Sequence, residues 1–312
     1  MLGEAMSKQL CEKIWRNGEF INWADATVHI CTHAIHYGSA VFEGIRCYEL
    51  ADGKSGIFRL REHVRRLYDS AKIYRMEIRF PQEEVIKACL EAVRVNRFKA
   101  CYLRPIVYRD FGPMGVNPLK NPVSLDIITW DWGKYLGDEA LEKGVDMMIS
   151  SWQRNTTNST PSIAKCASNY ASGALIKMEA LSNGYSEGIA LDAAGMLSEG
   201  SGENIFVVRD GVINTPGIGH SILSGITRDT VMRLARDMNI PVVERTIARA
   251  ELYTADEVFA CGTAAEITPI RSLDKITIGS GARGPITGRI QKAYLDLVTG
   301  KSEDKWNFVT RV

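Results

Sequence analysis

The stretch AVFEGIRCYELADGKSGIFRLREHVRRLYDSAKIYR, residues 40–75, decides the fold class. Its first part is a strand-like apolar run that ends at the turn dipeptide Asp52-Gly53, and GIFRL follows as a hairpin partner. The period then changes. Leu60, Val64, Leu67 and Ala71 recur at helical spacing, while Arg65 and Arg66 fall off that stripe. A hairpin that runs straight into an amphipathic helix is not the strand–helix–strand rhythm of a parallel doubly wound sheet.

Outward from there the same style continues. Upstream, IWRNGEFINW holds two short apolar runs around Asn17-Gly18, a pair suited to the positive φ of a tight hairpin. Downstream, Pro81 opens a helix PQEEVIKACLEAVRVN with Val85, Cys89 and Ala92 inward. CYLRPIVYRDF and SLDIITWDW read as strands. In the second half a hairpin turns at Asp210-Gly211. Asn169 to Asn183 reads as a helix stopped by Gly184, and Thr227 as the cap of the helix TRDTVMRLARDM. EVFACGTAAEI reads as a strand entering a Gly-Thr turn, and a last helix, 287–298, stops at Gly300. The expectation is α+β, or mixed α/β, in two domains: a smaller one over 1–132, a linker over 133–138 within DWGKYLGD, and a larger one over 139–312.

Composition narrows the function. Lys+Arg is 38 against Asp+Glu 37 in 312 residues, a formal charge of +1, so nucleic acid and anionic membranes lose their main electrostatic driver. No run approaches the ~18–20 apolar residues of a membrane span, and MLGEAMSKQL lacks the basic and apolar regions of a secretion signal. The seven cysteines are an odd number, scattered, with no Cys-x-x-Cys. They suit a reducing cytoplasm rather than a disulfide framework or a zinc site.

The candidate chemical motifs are individually weak. His29, His33 and His36 lie close together, but without an HExxH glutamate they read as a hydrogen-bonded cluster and not a metal site. There is no nucleophile elbow, no Walker loop and no dinucleotide fingerprint, so hydrolase, NTPase and nicotinamide readings lack support. Cys261 reads as a small buried residue. Two turns could hold an anion. Gly225-Ile226-Thr227 opens a helix whose first N–H groups lack partners within the helix, and Gly262-Thr263-Ala264 is small enough for close approach. Each is also an ordinary turn. Spacing alone does not single out a catalytic lysine: Lys165, among Ala164, Cys166, Ala167 and Ser168, is one lysine among many.

Taken together, the ordered blocks HAIHYGSAVFEGIRCY, REHVRRLYDSAKIY, CYLRPIVY, PSIAKCASNY, GIALD with LSEGSGENIF, GITRD and CGTAAEITP resemble the branched-chain amino acid aminotransferases. These are pyridoxal-phosphate enzymes of fold type IV. The likeness runs from about Ile14 to the terminal DKW. It implies two α/β domains with pyridoxal 5′-phosphate at their interface, and no metal. Carried over position by position, Lys165 is the Schiff-base lysine and the proton shuttle. Glu199 stands beside the pyridine nitrogen, and Tyr170 bonds the ring's phenolic oxygen. Arg66, the backbone of Ile226 and Thr227, and Thr263 hold the phosphate, while Leu223 packs on the ring.

For substrate, the resemblance assigns Tyr102 to the α-carboxylate and Arg104 to the side-chain carboxylate of glutamate. Both alternate onto one side of a strand. The Thr263 and Ala264 amides also receive the α-carboxylate. Tyr37, Phe42, Met114, Val116, Trp132 and Tyr135 line the apolar pocket, some of them from a neighbouring subunit. The implied reaction moves the amino group of L-leucine, L-isoleucine or L-valine to 2-oxoglutarate by a two-stage, ping-pong exchange. The rivals within the fold are D-amino acid aminotransferase and aminodeoxychorismate lyase. Homodimers at least are implied, with hexamers known in the family, together with a cytoplasmic location and no nucleic-acid or membrane partner.

Overall fold

A computed structural model describes residues 10–132 and 138–312. They form two compact units. One runs to Trp132 and takes back Val298–Val312; the other lies between these in the chain and ends at Leu297.

The first unit is built on one antiparallel sheet of eight strands among the described residues. Their order is Val309–Arg311, Ser55–Phe58, Ile45–Glu49, Cys101–Arg109, Val123–Trp130, Lys13–Arg16 and Glu19–Asn22, with Ala40–Phe42 also on Cys101–Arg109. The hairpin at Asn17-Gly18 forms as its sequence demands, with both residues at positive φ (51° and 109°). Helix Leu60–Ile73 follows Arg59, whose left-handed φ of 52° turns the chain out of the preceding strand. Leu60, Val64 and Leu67 are completely buried, while Arg65 is exposed. Helix Gln82–Val95 buries Val85, Cys89 and Ala92, with Pro81 as its cap rather than its first residue.

The second unit carries a nine-stranded mixed sheet among the described residues. Its order is Leu197–Gly200, Glu187–Leu191, Val145–Ile149, Glu266–Leu273, Glu257–Gly262, Asn204–Arg209, Val212–Thr215 and Val242–Glu244, with Ile276–Thr277 beside Glu266–Leu273. Val145–Ile149 runs parallel to both its neighbours, and Val212–Thr215 runs parallel to Val242–Glu244. The remaining pairs are antiparallel. Met147, Ile189, Leu197, Ile205, Ala260 and Leu273 fill one core on this sheet, each fully buried. The mixed α+β class expected from the sequence is the class observed.

Two further local expectations change. The tail 298–312, assigned with the second domain, returns to the first unit, where Val309, Thr310 and Arg311 pair with Phe58, Ile57 and Gly56. The helix expected to be capped by Thr227 spans Ile226–Asp237 and is capped by Gly225, whose carbonyl accepts from the Asp229 N–H. Thr227 lies inside its first turn and is buried. The linker expected over 133–138 falls, up to 137, outside the described residues, as does the pocket residue Tyr135.

Candidate active site

Lys165 precedes the helix Asn169–Ser182, and its Nζ donates to Tyr170 Oη at 2.6 Å from the helix's second residue. The neighbouring small residues root this loop. Ala164 and Cys166 are buried, and Asn169 Nδ2 donates to the carbonyls of Pro161 (3.1 Å) and Ala164 (3.3 Å). The lysine is therefore displayed from an anchored loop.

Glu199 lies on strand Leu197–Gly200 and is 5% exposed. Burial pushes its carboxyl up from the usual range, against the pull of the Arg154 and Lys165 charges and the Leu223 N–H. Arg154 Nη2 reaches Oε1 at 2.7 Å, while the Leu223 N–H (2.9 Å) and Asn204 Nδ2 (3.2 Å) reach Oε2. A carboxylate kept this dry, yet fixed in orientation, suits a cationic ring N–H as its further partner. Leu223 is thereby tied to Glu199 two residues before Gly225 and the helix start. Thr263 and Ala264 form the turn between Glu257–Gly262 and Glu266–Leu273, in which Gly262 pairs with Glu266. Both candidate anion turns and the lysine–glutamate set belong to this unit.

The first unit carries two further groups. Arg66, on the helix face beside Leu67, is locked by Glu43. Nε donates to Oε1 at 2.7 Å and Nη2 to Oε2 at 2.9 Å, while His63 Nδ1 stands 2.7 Å from Oε2. Burial alone would raise the Glu43 carboxyl, but the Arg66 and His63 charges hold it far below the ordinary range. The second group lies on strand Cys101–Arg109. The Arg104 guanidinium sits over the rings of Phe42 (4.5 Å), Trp130 (5.5 Å) and Tyr102 (5.6 Å). Its Nε is buried without a hydrogen-bond partner. Tyr102 stacks on Trp132 at 4.9 Å, and its hydroxyl end lies where a side chain on Gly44 would stand.

Tyr37, Met114 and Val116 are not in that group. They are exposed, Val116 at 85%. His33 stacks on Tyr37 at 4.4 Å and through Nε2 bonds, at 2.8 Å, the carbonyl of Gly115, the residue between Met114 and Val116 in the chain. His36 Nε2 bonds Ile30 O, and His29 Nδ1 accepts the Cys31 N–H.

The amino-transferase class IV profile matches residues 40–273. The chain belongs to the class IV aminotransferases. A branched-chain-amino-acid aminotransferase of Escherichia coli strain K12 is 49% identical over 309 residues, covering 98% of this chain and 99% of that protein. The crystal structure of an Escherichia coli branched-chain amino acid aminotransferase, also 49% identical, superposes with a TM-score of 0.94, covering 96% of this chain and 98% of that one. The branched-chain amino acid aminotransferase from Thermobaculum terrenum, solved in its PLP-bound holo-form, is 36% identical, with a TM-score of 0.91 over 97% of this chain and 99% of that one. Within the class IV family the chain stands with the branched-chain-amino-acid enzymes, and the cofactor of the family is pyridoxal phosphate. The buried Glu199, the Lys165–Tyr170 pair and the anion turns fit that cofactor.

Four residues escaped the sequence reading: Glu43, Arg154, Asn204 and Trp130. Glu43 carried a usable signal, a charge in the interior of an apolar strand run. Asn204 opens a strand one residue after the Gly-rich SEGSG. Arg154 and Trp130 gave none, because their importance is the partner they meet in space.

Proposed function

We propose that this branched-chain-amino-acid aminotransferase uses 2-oxoglutarate as its amino acceptor and works by two half-reactions at one site, with the residues above in named roles. Pyridoxal phosphate, when bound, supplies an aldehyde for the amino group and a ring that withdraws the electron pair left at the substrate Cα. Lys165 Nζ takes the proton from that Cα, and Tyr170 Oη, 2.6 Å away, fixes where the amine stands. Glu199 holds a proton at the ring nitrogen, with Arg154, Asn204 and the Leu223 amide holding Glu199 in turn. Arg66, oriented by Glu43, and the amides of Ile226 and Thr227 with Thr263 carry the phosphate. Leu223 packs on the ring.

Tyr102 and the Thr263 and Ala264 amides receive the α-carboxylate. Phe42, Trp132 and Tyr135 give the apolar wall. The acceptor assignment rests on Arg104. Its buried, unpartnered Nε lies among aromatic faces, a setting that takes a second carboxylate in one half-reaction and leaves ring surface for an isobutyl, sec-butyl or isopropyl group in the other.

A homodimer at least is part of the proposal. Exposed Ile30, Ile35, Tyr37, Phe111, Met114 and Val116 make an apolar surface that a second copy would cover. Among the described residues no helix is long and apolar enough to cross a membrane. Free cysteines at seven positions suit a cytoplasmic location.

The test is reductive trapping of the cofactor-loaded protein followed by peptide mapping, with turnover of L-leucine and 2-oxoglutarate measured alongside. The label is expected on Lys165, with turnover lost in Lys165→Ala. A label elsewhere, undiminished Lys165→Ala, or faster turnover of D-alanine than of L-leucine refutes the reading.

A further inference from the structure

Asn204 is the first residue of strand Asn204–Arg209 and is buried. Both hydrogens of its amide are committed: Nδ2 donates to Glu199 Oε2 at 3.2 Å and to Leu223 O at 3.0 Å. Because the Leu223 N–H also reaches Glu199 Oε2, the carboxylate, the backbone N–H and C=O of Leu223 and the Asn204 amide close a ring of three hydrogen bonds. The other end of the same amide faces Gly225. A Cβ on Gly225 would land on Asn204 Oδ1, well inside contact distance, with Asn204 Cγ at 3.2 Å and Arg228 Cβ at 3.1 Å.

Gly225 has φ −67° and ψ 131°, a conformation open to any residue. The backbone therefore does not require glycine there; the Asn204 amide does. One side chain thus touches the group assigned to the ring nitrogen, the residue assigned to the ring face, and the cap of the helix assigned to the phosphate.

We propose that Asn204 is a positioning residue, a spacer that sets Glu199 and the N-terminus of helix Ile226–Asp237 at the separation pyridoxal phosphate requires, and that Gly225 lacks a side chain to admit it. This rests on the cofactor roles given above. Only Asn among residues of its size offers two donors toward Glu199 and Leu223 with an acceptor turned the other way. Aspartate would keep the shape while setting a second carboxylate against Glu199.

The experiment is a double-substitution cycle on the full chain, read as the dissociation constant for pyridoxal phosphate added to apoprotein, with the apoprotein melting temperature recorded beside it. Gly225→Ala in the native background is expected to weaken cofactor binding by about tenfold or more. Asn204→Ala weakens it as well, and in that background a further Gly225→Ala costs less than about threefold, because the colliding amide has gone. Asn204→Asp is expected to bind cofactor more weakly than Asn204→Ala.

An equal penalty for alanine at 225 in both backgrounds overturns the proposal. So does coupling that shows only in the melting temperature while the dissociation constants stay additive. Native protein that takes up no pyridoxal phosphate refutes instead the cofactor roles on which the proposal stands, so the two failures are told apart.

Discussion

Arg104→Met separates the two half-reactions. Methionine keeps an unbranched stem against Phe42, Tyr102 and Trp130 and removes only the cation and its donors. The Arg104 Nε has no hydrogen-bond partner inside its box of rings, so the change strands no acceptor there. Fold stability therefore loses the ring–cation attraction, about 0.5–2 kcal/mol, part of which sulfur–aromatic contact restores.

The loss on the acid substrate is larger. A hydrogen bond to a charged group contributes about 1.5–3 kcal/mol, and every ~1.4 kcal/mol is tenfold, so kcat/KM for 2-oxoglutarate should fall about 10- to 150-fold. L-Leucine presents a hydrocarbon at the same place, and its half-reaction should stay within about threefold. Rapid-mixing absorbance of each half-reaction alone, with the cofactor form at the start set by the other substrate, measures both numbers. Equal losses on L-leucine and 2-oxoglutarate would mean that Arg104 supports the site as a whole and does not read the second carboxylate.

Three further outcomes are expected. Glu43→Gln removes a completely buried anion from its pair with Arg66 and should cost about 3 kcal/mol of unfolding free energy, with weaker pyridoxal-phosphate binding, by denaturant titration with and without cofactor. Because the folded-state pKa of Glu43 lies below its unfolded value, that stabilisation is complete above the unfolded carboxyl pKa of about 4.3 and shrinks as pH falls below it, so the gap between native and Glu43→Gln should narrow in acid. Gly44→Ala places a methyl on the hydroxyl end of Tyr102, which is held by stacking on Trp132, and should raise KM for amino acids and oxo acids alike at a stability cost of about 1–3 kcal/mol. Val116→Asp puts a charge into the exposed apolar surface and should shift sedimentation toward monomer while leaving the monomer's melting temperature within about 2 °C, since Val116 is 85% exposed.

Local chemistry in the chain foretold local structure well. Asn17-Gly18 and Asp210-Gly211 adopt the positive φ that those dipeptides favour, Gly184 and Gly300 take left-handed φ just beyond helices, and the Leu60–Leu67 stripe is buried as its spacing required. The Thr227 expectation failed by two residues, because a side-chain cap is only one way to start a helix and Gly225 serves here. The return of 298–312 to the first unit was not legible: three residues pairing through their backbones leave no periodic signature. The site divides in the same way. Lys165, Tyr170 and Glu199 stood out through ordered motifs, whereas spacing alone gave Lys165 no distinction. Arg154 and Glu43 act on other side chains, and a partner 45 or 23 positions away in sequence is invisible until the chain is folded.

The tail strand has a consequence for biosynthesis. During vectorial synthesis all of 133–297 emerges before Val309–Arg311 exists, so the nascent first unit carries strand Ser55–Phe58 as an open edge throughout that interval. Its backbone groups are then a template for neighbouring nascent chains on the same messenger. Arrival of Phe308, whose carbonyl takes the Arg59 N–H and whose ring lies 4.0 Å beneath the Arg59 guanidinium, is what seals that edge. Val309–Arg311 is thus a guard against misassembly as well as a strand.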